Sequence, residues 1–154
     1  MRKKRNHPGI LLLVFFIAGT FIFMLAQFLF SSPSSEAKSV VDQFYTFEQD
    51  ANFSASWNLF HPNMKEKFPK AAYIQDRTHV FMGHFGAETF SYEINEAEHL
   101  EEWRAAKGEK TFKTAYKFEV TQMYTGKYGK FSFIQEVYVV EQKKEWVILW
   151  NFNH

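Results

Sequence analysis

Between Tyr73 and Phe85 the chain reads YIQDRTHVFMGHF, and at about 100° per residue Arg77 and His84 fall between Ile74, Phe81 and Phe85 on one side and Tyr73 and Val80 on the other, on the apolar stripe. A guanidinium on an apolar stripe must find a carboxylate, a carbonyl or a ligand anion, because a buried unpaired charge costs several kcal/mol. Arg77 is therefore expected to tie helix to sheet, or else to await an anion. Asp76 and His79 point to the opposite face at that spacing, so Asp76, His79 and His84 do not converge on a metal. A second polar set comes from strand spacing. If Phe112, Tyr116, Phe118 and Val120 face inward, Thr114 and Gln122 share their face, and Gln135 joins them from the next strand beside Phe131, Phe133, Val137 and Val139. Glu119 and Glu136 take the other parity. Two amides and a hydroxyl can orient a ligand but do not exchange protons near neutral pH, which argues against an acid–base enzyme.

These residues require helices first and strands afterwards. Val40, Val41, Phe44 and Phe47 have the spacing of one helix face, and Ser34 or Ser35 is placed to cap that helix. A short helix is expected over 54–60, ending at His61-Pro62, and a third from Pro69 to Gly83 or Gly86. From Phe90 the period changes to two. Strands are expected over 90–94, 112–121, 131–141 and 145–152, with a shorter one at HLEEW and hairpin loops at 125–129 and 142–144. The fold class is α+β, with helices packed on a curved antiparallel sheet.

Two stretches carry a family likeness: YIQDRTHVFMGHFGAETFSYEI, where a glycine closes a helix before an alternating strand, and EWVILWNFNH, which holds Trp146 and Trp150 in a W-x-x-x-W pattern. Together they resemble the nuclear-transport-factor-2-like (cystatin-like) domain that follows the anchor in methicillin-resistance-type penicillin-binding proteins. The resemblance implies a helix-backed cone serving as an extracytoplasmic spacer or binding module of a cell envelope. It implies no peptidoglycan chemistry, because that belongs to enzymatic domains without counterpart in this sequence. The candidate ligand-binding residues are thus Arg77, His84, Thr114, Gln122, Gln135, Trp146 and Trp150.

Residues 10–30, ILLLVFFIAGTFIFMLAQFLF, hold 21 residues without a charge, and about 20 suffice to cross a bilayer. Arg2, Lys3, Lys4 and Arg5 precede this stretch, so residues 1–9 are expected in the cytoplasm and the domain of residues 39–154 outside, after a linker over 31–38. A cleaved signal peptide, with Ser35-Glu36-Ala37 as its cleavage site, is the rival reading; its apolar core would exceed the usual about 7–15 residues, and retention is expected. Beyond the stretch 14 basic residues face 17 acidic ones, a formal charge of −3, which disfavours nucleic acid as a partner. There is no cysteine, hence no disulfide, thiolate metal site or thiol nucleophile. No phosphate loop or nucleophile elbow is present, and no cofactor is implied. The expected partners are membrane lipid through the anchor and an envelope protein. The alternative is a small ligand held, or transformed, in the pocket of the sheet.

Overall fold

The computed structural model describes residues 8–29 and 32–151, in two units. The first holds helix α1 (Pro8–Leu29), 22 residues long. The basic tail expected in the cytoplasm lies outside the described residues up to His7. Leu12, Phe15, Phe16, Phe21, Phe23 and Met24 are exposed, and the Thr20 hydroxyl donates to the carbonyls of Phe16 and Ile17, at 3.1 and 2.9 Å. Among the described residues, no helix is long and apolar enough to cross a membrane.

The second unit is α+β. Four helices, α2 (Pro33–Gln49), α3 (Phe53–Asn58), α4 (Pro62–Lys67) and α5 (Lys70–Arg77), precede strands β1 (Phe90–Ile94), β2 (Glu98–Trp103), β3 (Phe112–Gly126), β4 (Gly129–Gln142) and β5 (Glu145–Leu149). The order β1-β3-β4-β5 forms one antiparallel sheet, and β2 lies beside β3 beyond the end of β1. The stretch expected as a linker is helical from Pro33, because proline suits a first helical turn; Ser34 and Ser35 lie inside the helix rather than capping it. Ala37, Val41, Phe44, Tyr45 and Glu48 form its buried face. Sequence reasoning missed α4, a single helical segment after His61.

The register agrees with the expected faces. Phe118 lies opposite Val137, Val120 opposite Gln135, Gln122 opposite Phe133 and Tyr124 opposite Phe131, while Glu119 and Glu136 meet on the exposed face. The loop between β3 and β4 is tighter than expected, with Gly126 paired to Gly129. The Phe85 carbonyl, which accepts the Lys127 amide at 3.0 Å, sits so close to Gly126 that a β-carbon there would collide with it. Helix layer and sheet are also joined at an edge: Phe60 bridges Ile148, through His61 N–H to Ile148 O and Ile148 N–H to Leu59 O, both 2.9 Å.

His61 caps α4. Its Nδ1 accepts the Asn63 amide at 3.2 Å, and burial lowers its pKa from the ordinary 6.5. A depressed histidine pKa means that the unfolded chain binds the proton more tightly, so this contribution is complete above about pH 6.5 and is lost as pH falls toward the folded value. The unfolding midpoint should therefore decline between about pH 7.5 and 5.5, and His61→Asn, which caps without titrating, should flatten the decline. An unchanged slope in His61→Asn would assign the dependence to other groups.

Candidate functional site

The polar interior is built around one carboxylate. Glu48, in the last turn of α2, has a fully buried side chain. Ser56 of α3 and Tyr73 of α5 donate to its Oε1, the tyrosine at 2.7 Å. Arg77 at the end of α5 donates to Oε2 through Nε, at 2.6 Å, and also through Nη2. A carboxylate has about four lone-pair positions, and four donors meet them. The guanidinium lies over the Phe81 ring, 4.3 Å from its centroid, and 18% of the Arg77 side chain remains accessible.

From Arg77 the network crosses to the sheet. The Tyr124 hydroxyl lines the same small space as the guanidinium and donates to Gln122 Oε1 at 2.8 Å. Gln122 Nε2 donates to Gln135 Oε1 at 3.3 Å, and the same oxygen accepts the Tyr45 hydroxyl at 3.0 Å, returning the path to α2. The two amides thus bring β3 and β4 into contact with the helix layer, as their shared face implies.

The electrostatics suit permanent pairing. Burial works to lower the Arg77 pKa, but the Glu48 carboxylate, with Tyr73 and Tyr124, outweighs it and raises the value. Burial also pushes the Tyr124 hydroxyl up to about 12, and those of Tyr45 and Tyr73 higher. All three tyrosines are therefore donors at neutral pH. The space against Glu48, Arg77, Phe81 and Tyr124 amounts to about 10 Å³, close to the least that one water requires. Two larger depressions, of about 510 and 550 Å³, are surface grooves: one beside Gln49, Thr89 and Ser91, the other beside Asn63, Glu66 and Ala105.

Other candidates lie elsewhere. His84 is exposed and not on the buried stripe, because Thr78–His84 is a π-helix; bonding over five residues changes the rotation per residue and brings His84 beside His79, Nε2 to Nε2 at 2.9 Å. The pair offers two nitrogens, and no set of three potential metal ligands occurs among the described residues. Thr114 is half-buried opposite Glu101 on β2, eight positions from Gln122, and takes no part in the network. Trp146 donates to Glu36 at 3.0 Å and packs on Tyr116. Trp150 lies among Phe44, Phe60 and Phe68, and its Nε1 is a buried donor without a partner among the described residues. Sequence reasoning missed Glu48, although Val41, Phe44 and Glu48 share a helical stripe that would have revealed it.

Compared with known proteins, the chain matches no family model, and no curated protein is significantly similar to it.

Breaking this pair tests its role. Arg77→Met should lower stability by about 3–5 kcal/mol, since Glu48 is left buried without its cation. Adding Glu48→Leu should restore part of the loss, because the orphaned charge is then gone. Denaturant unfolding of parent, single and double variants measures this; an Arg77→Met domain as stable as the parent would mark Arg77 as a ligand-binding residue.

Proposed function

We propose that this chain is a membrane-anchored interaction or spacer module of the cell envelope, not an enzyme, with residues 10–30 as its anchor, residues 1–9 in the cytoplasm and the α+β unit outside. The carrying observation is the Arg77–Glu48 pair. Arg77, the residue best suited to capture an anion, is engaged by Glu48 of its own chain, and the adjoining space admits no more than about one water. A carrier or enzyme using that pocket would need an opening and an unengaged polar group. With Arg77 engaged within the chain, recognition on this reading falls to the outer surface. The likeness to the nuclear-transport-factor-2-like domain favours the same reading, as a spacer or binding unit.

The anchor reading is supported by composition: residues 10–30 carry no charge, and Arg2, Lys3, Lys4 and Arg5 precede them. The Thr20 hydroxyl bonds to carbonyls of its own helix, an arrangement compatible with hydrocarbon. Protease added to intact cells or spheroplasts should digest the domain and leave a short N-terminal fragment with the membrane. A domain protected until lysis, or released in soluble form after cleavage near Ala37, would reject the topology.

A further inference from the structure

Strand β4 is covered unequally along its length. Val137, Tyr138, Val139 and Val140 are all buried, and β5 pairs with Tyr138–Gln142. Before Tyr138 no described strand pairs with that side: β5 ends at Leu149, and Trp150 turns its ring among Phe44, Phe60 and Phe68. The opposite edge differs, since Gln49 Nε2 donates to the Phe90 carbonyl of β1 at 2.6 Å and Tyr92 is bonded to Asp42 and Thr46 of α2. The open segment is Lys130-Phe131-Ser132-Phe133-Ile134-Gln135-Glu136. Two of its side chains are apolar and exposed, Phe133 at 42% and Ile134 at 65%.

This segment is complementary to itself. Hydrogen bonds alternate sides along an antiparallel strand; with Tyr138, Val140 and Gln142 on the β5 side, Lys130, Ser132, Ile134 and Glu136 share their parity and direct backbone groups outward. Turned end for end about Phe133, a second copy places Lys130 opposite Glu136, Ser132 opposite Ile134, and Phe133 opposite Phe133. The outward groups then meet outward groups, opposite charges face each other at both ends, and the exposed apolar side chains gather at the centre. A lone lysine would protect the edge, but opposite a glutamate it selects a partner.

We propose that this edge is the dimerisation site of the protein, a two-fold pairing of β4 segments from two copies that joins two sheets into one. The occupant is a second copy because the charge order and the central apolar pair are satisfied by the same sequence reversed, as an isologous interface requires. The inference does not depend on the anchor or on the Arg77–Glu48 pair.

The absence of cysteine makes the test direct. At the two-fold axis the Phe133 positions form a pair without mutual hydrogen bonds, with Cα atoms about 4.5 Å apart, within disulfide range. Full-length Phe133→Cys, oxidised in whichever cell fraction holds the protein, should form dimers at least ~10-fold faster than Glu93→Cys on the opposite edge, as expected for locally concentrated thiols. Ile134→Lys in the Phe133→Cys chain should bring the rate down to that of the control without changing the unfolding midpoint. In parallel, the unmodified full-length chain should sediment in detergent as a dimer, and Lys130→Glu, which sets like charges opposite Glu136, should sediment as a monomer. Equal rates at the two edges, insensitivity to Ile134→Lys, a monomeric parent, or an adduct with the mass of a different protein would each overturn the proposal.

Discussion

Three helices of this domain are fixed to one another by the Glu48 carboxylate. It is the point at which α2, α3 and α5 meet, through Ser56, Tyr73 and Arg77, and the guanidinium lies beside the same small space as Tyr124 of the sheet. An ion pair of this kind contributes less to net stability than its geometry suggests, because both charges have left water. Its effect is on alternatives. A helix packing that failed to deliver all four donors would strand a charge in an apolar interior, at a cost of several kcal/mol, whereas purely apolar contacts tolerate sliding. The ring pairs around it, such as Phe60 on Tyr73 and Phe44 on Tyr45, then fill the volume at a spacing already set.

The faces of the sheet were legible from alternation, since a half-buried strand has a period of two and a one-residue slip would expose its whole apolar set. Gln122 and Gln135 were placed on the inner face by that rule, and they meet there. Two features were not legible. Which carboxylate pairs with Arg77 depends on how α2 crosses α5, a tertiary property; only the position of Glu48 on the stripe with Val41 and Phe44 hinted at it. The second is the π-helical turn. A rotation of about 100° per residue separates residues 79 and 84, and bonding over five residues reunites them as His79 and His84. Periodicity arguments assume one geometry throughout an element, so they fail where the geometry changes within it.

The two halves of β4 make opposite use of the same local structure. Where Val137–Val140 are enclosed, Trp103 stacks on Tyr138, 4.4 Å between centroids, and β5 completes the ladder. Nearer the hairpin, alternation persists, but one edge has no neighbour within the described residues. The division follows from β5 being only 5 residues long against 14 for β4. Trp150, just past β5, supplies a core aromatic to the helix layer.

The seam between Phe60 and Ile148 has a consequence for the order of assembly. During synthesis the helices emerge first, yet the backbone groups of Leu59 and His61, the Trp150 ring beside Phe44 and the Trp146 bond to Glu36 all involve the last strand or the residue after it. Until those residues leave the ribosome, the helical layer lacks one of its walls. Loop closure over about a hundred residues must precede much of the favourable contact energy, which places this chain among slower-folding topologies. A nascent chain paused before β5 would hold a hydrophobic helical surface without its cover, the state that chaperones recognise.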